Sequence, residues 1–207
     1  ANGRGGQRIT VIPERNLIVV MTGGDFEPGD VGAFLGRALK SDGPLAPNPS
    51  GVARLNAAVA EAGRPTPPDG YLSPMALTVS GRRYRLEPNP LNLRELTIDF
   101  SRIEQPQLQL QIGDRLDGPR PIGMDGVPRL SSAGYSGLPV ALSGAWRGQD
   151  TFVFEYNEVG AINAYEFSLR FSGEDVSVTL SERSGVIPTT TFHGKTERSS
   201  STVPRAG

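Results

Sequence analysis

The chain has 207 residues, no cysteine and a formal net charge of −1. Disulfides, thiolate chemistry and cysteine-based metal sites are thereby excluded. The near-neutral balance gives no reason to expect nucleic acid or an anionic membrane surface as partner, and no stretch approaches the roughly 18 apolar residues of a membrane-spanning helix.

The chain opens on the glycine-rich run Ala1-Asn2-Gly3-Arg4-Gly5-Gly6. This run precedes a strand pattern rather than a helix, so it is no dinucleotide loop. Residues 7–12 alternate polar and apolar, the period of a half-buried strand. Pro13 to Asn16 form a turn. Leu17-Ile18-Val19-Val20-Met21 is continuously apolar and predicts a strand buried on both faces, deeper than the first. Asp30 to Lys40 carries Val31, Phe34, Leu35, Ala38 and Leu39 at helical spacing, with Asp30 as the expected cap. A second helix is expected from a Ser50 cap through Val52, Leu55, Ala58 and Val59 to Gly63. The first region thus spans 1–63. These opening residues read as the interior of a fold, so further chain is expected upstream of Ala1. A proline-stiffened linker follows at 64–74.

From 75 to 197 the sequence reads as a series of short alternating strands, at 82–87, 95–100, 107–112, 127–130, 140–146, 151–156, 164–171, 176–180 and 190–193. Close spacing of turn signals predicts an antiparallel β-barrel or sandwich of about eight strands, lipocalin-like in layout. Asp117-Gly118-Pro119 is among the clearest turn signals. Residues 198–207 are Ser-rich without periodicity and are expected to be disordered.

Catalytic motifs are mostly missing. Neither lysine, Lys40 or Lys195, has a serine three residues before it, so Ser-x-x-Lys is absent. Gly134-Tyr135-Ser136-Gly137 fails the Gly-x-Ser-x-Gly spacing and has no helix after it. His193 is the sole histidine and reads as a solvent-facing strand residue. Asp114, Asp117 and Asp125 share one loop-rich stretch without EF-hand spacing, and read as turn residues rather than calcium ligands. No metal or cofactor is expected. Trp146, Phe152, Phe154 and Tyr156 fit core packing, with a pocket in a barrel mouth as the alternative.

Residues 1–24, with their Gly-x-Gly-Gly-Gln loop, Pro-Glu turn, apolar strand and terminal Thr-Gly-Gly, resemble the end of the catalytic domain in β-lactamase-related (penicillin-recognising) serine hydrolases. Tyr84 to Leu91, Gly123-Met124-Asp125-Gly126, Gly144-Ala145-Trp146 and Thr151-Phe152 resemble the accessory β-domain of some members. The resemblance implies an α+β protein: a hairpin and two helices of a β-lactamase/transpeptidase-like domain, then the β-domain. It places Ala1-Asn2-Gly3 at or near the Lys-Thr-Gly or His-Thr-Gly triad of the family, with Ala1 where the Lys or His would stand. It implies Asn2, Gly3, Gly5 and Gly6 as substrate-lining residues, with a backbone amide contributing to an oxyanion hole. The same glycines also read as turn residues at positive φ. It further implies a missing N-terminal catalytic portion as partner, a small amide or ester substrate turned over through an acyl-enzyme, and a periplasmic or secreted location. Without the nucleophile the chain is expected to be inactive alone.

Two other readings stand beside it. The β-domain could be a non-catalytic module with a cavity lined by Phe152, Phe154, Tyr165 and Phe167. Alternatively the chain could serve as an interaction surface, because a two-stranded hairpin is marginal alone and wants a sheet to join.

Overall fold

The computed structural model describes residues 1–24, 29–41, 43–64 and 72–196. The chain divides into two compact units, Ala1–Thr66 and Pro67–Gly207. The expected tail at 198–207 and residues 65–71 of the expected linker lie outside the described residues.

In the first unit, β1 (Arg8–Ile12) and β2 (Leu17–Met21) form an antiparallel hairpin with Ile9 opposite Val20 and Val11 opposite Ile18. Pro13–Arg15 makes a 3-10 turn closed by Asn16 at φ 47°, a left-handed conformation that Asn tolerates better than most residues. Helices α1 (Gly29–Ala38) and α2 (Pro49–Ala62) follow. The cap of α2 is Asn48 rather than Ser50: its side chain accepts from the Gly51 amide at 2.9 Å. Pro49 explains the shift, because its fixed φ and missing N–H suit the first helical position and set the cap one residue earlier. The expectation that β2 is buried on both faces fails. The strand alternates half-buried and exposed residues, with Ile18 65% and Val20 60% exposed. None of the described residues of this unit is fully buried.

The second unit begins with the short helix α3 (Met75–Val79), which the sequence did not reveal. Ten strands follow: β3 (Arg83–Leu86), β4 (Leu93–Asp99), β5 (Gln107–Ile112), β6 (Arg115–Pro121), β7 (Arg129–Ala133), β8 (Pro139–Arg147), β9 (Thr151–Glu158), β10 (Ala164–Ser172), β11 (Asp175–Glu182) and β12 (Thr190–Thr196). Their order is β6-β5-β4-β3-β12-β11-β10-β9-β8-β7, and every pairing is antiparallel. The last strand returns to pair with the first, so the sheet curls into a nearly closed barrel whose seam lies between β6 and β7.

Alternation decides which side chains enter the barrel. Val176, Val178 and Leu180 of β11 point inward, as do Tyr84 and Leu86 of β3. Register then pairs the large residues: Phe154 sits opposite Phe167 and stacks on it at 4.8 Å, and Trp146 sits opposite Phe152 at 5.3 Å. Phe100 meets Phe152 edge-on at 5.1 Å. The expected core role of Trp146, Phe152, Phe154 and Tyr156 is what the structure shows, whereas Tyr165 is only half buried. Ala76 and Val79 of α3 join the same core. The helix is tied down at both ends. The Ser73 hydroxyl donates to the Gln149 carbonyl, and the Ser80 hydroxyl donates to Asp99 while accepting from the Phe100 amide.

The barrel has ten strands rather than the expected eight or so, and β6 is the main difference. Asp117-Gly118-Pro119 lies inside that strand, not in a turn. Proline cannot donate to a ladder, which confines it to an edge, and β6 is where the sheet ends.

Glu182, at the end of β11, carries a pH-dependent share of the stability. Burial alone raises its carboxyl, but hydrogen bonds from the Ser184 amide and hydroxyl and the Val186 amide outweigh this and hold it below the ordinary glutamate value. A carboxyl depressed in the folded state stabilises above its unfolded value, and that contribution is lost as pH falls through the folded one. Glu182→Gln is therefore expected to be about 1–3 kcal/mol less stable at pH 7. Its stability should also fall less steeply than wild type between about pH 5 and pH 3. Urea midpoints measured across that range check this; parallel profiles would refute it.

Candidate functional site

The outer face of the barrel carries a groove of about 490 Å³ lined by Arg85, Leu86, Arg94, Glu95, Gln111 and Gly113. A β-bulge shapes it. Leu93 pairs with Ile112 and Glu95 with Gln111, so Arg94 is an extra residue with no partner of its own in the ladder. Leu93 and Leu96 both remain in the core, and the two residues between them, Arg94 and Glu95, both stay outside. Re-aiming consecutive side chains in this way is what bulges do.

Register brings the other lining residues alongside. Arg85 of β3 lies opposite Glu95, which lies opposite Gln111 of β5. The Arg85 guanidinium is 3.8 Å and that of Arg83 3.6 Å from the Glu95 carboxylate. Arg94 reaches Asp114 at 2.8 Å, an ion pair whose carboxylate is 94% exposed and therefore weakly held. On the far side of β3, Lys195 faces Arg85 across the ladder and pairs with Asp175 at 3.4 Å. The groove thus offers guanidinium donors, one carboxylate and one amide, a set suited to recognising a polar ligand. The lining residues contain no nucleophile paired with a base.

A second polar cluster lies at the seam and is structural. Arg120 and Asp117 are 6% and 4% exposed and form a bidentate pair, at 2.9 Å from Nε and 2.6 Å from Nη2. The remaining Arg120 donors cross to β7, reaching Ser131 Oγ at 2.8 Å and the carbonyls of Ser132 and Ala133 at 2.7 and 2.9 Å. From β9 the Tyr156 hydroxyl donates to Asp117 at 2.9 Å. Burial, reinforced by the negative charge of Asp117, pushes the Tyr156 phenol above its usual value and keeps it a donor. Inside the barrel, Tyr84 Oη and Trp146 Nε1 are buried without a hydrogen-bond partner.

The residues singled out in the sequence fall elsewhere. Asn2 Oδ1 accepts from Arg8 Nε at 3.0 Å, and the Gly3 amide donates to the Gln7 carbonyl at 2.7 Å. Gly5 and Gly6 take φ values of 76° and 87°, which glycine adopts readily. Gly134 to Gly137 form the turn between β7 and β8, and His193 is exposed on β12. Asp114, Asp117 and Asp125 diverge, each pairing with its own arginine: Arg94, Arg120 and Arg129. Among the described residues no group of three acidic or histidine side chains converges to hold a metal, and no helix is long and apolar enough to cross a membrane. Sequence reading missed the groove. Its one local signal is Leu93-Arg94-Glu95-Leu96, where two outward residues interrupt the alternation.

No family model and no curated protein matches the chain. Among solved structures it is similar to a fatty acid-binding protein from brain tissue of Drosophila melanogaster, at 12% identity and a TM-score of 0.42, over 56% of this chain and 98% of that one. The expected identity as a fragment of a β-lactamase-related serine hydrolase is therefore corrected. The larger unit is a nearly closed ten-stranded antiparallel barrel, and neither a family model nor a curated protein supports a hydrolase. The barrel assignment rests on the strand register itself.

Proposed function

We propose that the chain is a non-catalytic binding module that uses the outer groove of its barrel to hold an acidic, peptide-like ligand. The observation that carries this reading is the bulge at Arg94, which sets Arg94 and Glu95 side by side in a concavity with Arg85 and Gln111. Its volume of about 490 Å³ falls among ordinary ligand sites. The ligand's carboxylates would take the guanidinium groups, and its backbone N–H groups would find Glu95 and the Gln111 carbonyl oxygen. Tightly packed aromatic rings occupy the barrel interior, which favours the outer face over the lumen.

A capped tetrapeptide of two glutamates and two alanines, titrated against isotope-labelled protein, tests the reading. Amide shifts should cluster at residues 85, 94, 95, 111 and 113. Arg94→Ala should weaken binding about five-fold, the roughly 1 kcal/mol of one exposed charge contact. Raising salt should weaken it further, and a lysine version of the peptide should not bind. Shifts scattered over the barrel, or an unchanged affinity in Arg94→Ala, would remove the groove from consideration.

A further inference from the structure

We infer that β7 and the turn after it, residues 129–137, form a latched strap that swings off the barrel as one unit and opens the seam between β6 and β8, while the rest of the barrel stays folded. The two edge strands of the sheet differ in what holds them. β6 buries Asp117 and Arg120, whereas β7 buries none of its side chains. Releasing β7 therefore exposes little apolar surface of its own and costs mainly hydrogen bonds. Its ladder with β8 is short, shifts register between Ser131 and Ala133, and ends on Pro139, which has no N–H to give.

Toward β6 the strap has no backbone ladder. Two arginines of β6 take its place and donate to four successive carbonyls. Arg120 reaches those of Ser132 and Ala133 at 2.7 and 2.9 Å, and Arg115 those of Gly134 and Tyr135 at 3.3 and 2.8 Å. The Arg115 guanidinium also lies over the Tyr135 ring, 5.5 Å from its centre. Arg115 is itself exposed, so water competes for its bonds and the latch is weakest at that end. The other end of the seam is fixed by backbone: the Gly123 amide donates to the Leu142 carbonyl at 3.1 Å, and the Gly123 carbonyl accepts from the Gly144 amide at 2.9 Å. A seam held by backbone at one end and by side chains at the other opens from the side-chain end. The turn lies directly over the core there. A Cβ added at Gly134 would come within 2.5 Å of Val140 Cγ2 and 2.7 Å of the Tyr156 hydroxyl, and both of those residues are buried. Unlatching thus uncovers a route to the barrel interior at Val140 and Tyr156.

Amide hydrogen exchange of the full chain tests the inference. In wild type the amides that join β7 to β8 should exchange about 100-fold faster than those of β10 and β11, and their rates should respond little to low urea, as a local opening requires. Arg115→Ala should accelerate them about ten-fold, the loss of the two outer latch bonds. Gly134→Ala should have the same effect by a different route, because its Cβ wedges the turn away from Val140. Neither variant should change exchange in β10 or β11. β7 amides that exchange no faster than those of β10 and β11 overturn the inference. So do unchanged rates in either variant, or an acceleration that spreads around the whole barrel. None of these outcomes bears on ligand binding at the outer groove.

Discussion

Replacing Arg120 with methionine is expected to destabilise the barrel by about 3–5 kcal/mol, because it strands the Asp117 carboxylate in a buried site. Asp117 would keep only the Tyr156 hydroxyl. The substitution also removes the Arg120 bonds that join β6 to Ser131, Ser132 and Ala133 of β7, leaving Arg115, which donates to the Gly134 and Tyr135 carbonyls, to hold the seam from β6. Replacing both members of the pair by apolar residues, Asp117→Leu with Arg120→Met, should recover much of the loss, because no charge is then left uncompensated. Urea unfolding followed by Trp146 emission measures both. A single-variant cost under about 1 kcal/mol would show that the pair is not the seam's main fastening. A loss of 3–5 kcal/mol is a large share of the 5–15 kcal/mol that holds a typical domain folded, so the variant should approach the threshold of unfolding.

The second large effect is expected at Gly123. Its amide donates to the Leu142 carbonyl at 3.1 Å, and its carbonyl accepts from the Gly144 amide at 2.9 Å. Those two bonds carry the chain just past β6 onto β8, in a parallel bridge with Ser143 that bypasses the edge strand β7. An added Cβ would overlap the Val127 carbonyl oxygen, which is backbone and cannot swing aside. Gly123→Ala should therefore break one or both bonds, at a cost of roughly 2–4 kcal/mol. The damage should stay local. Amide exchange at Gly123 and Gly144 should accelerate, while the amides of β10 and β11, far from the seam in strand order, keep their protection. Unchanged exchange at Gly144 would mean that the loop at Val127 yields and the seam does not.

Both expectations concern groups that join residues from separate strands, and this is where the sequence was least legible. Alternation alone located most barrel strands, including 151–156, 164–171 and 176–180, because a half-buried strand must expose every second residue whatever its neighbour is. Helix α2 was legible for the same local reason, although its cap was not: Ser50 and Asn48 are equally good caps, and Pro49 decided between them. The resemblance of the first 24 residues to a hydrolase rested on a short glycine- and valine-rich run, a composition that turns and strands of many folds share.

What the tertiary structure decided is everything that depends on pairing. Asp117-Gly118-Pro119 has the chemistry of a turn, yet it lies inside an edge strand because Arg120 and Tyr156 satisfy the aspartate. Arg94 and Glu95 look like ordinary outward residues until the register with β5 shows which of them is extra. Leu17 to Met21 has the sequence of a strand covered on both faces, yet in the structure it alternates half-buried and exposed side chains. Local pattern fixes what each segment favours. Which strands become neighbours, and so where the barrel closes and where an edge is left open, is set by contacts distant in sequence that no window along the chain contains.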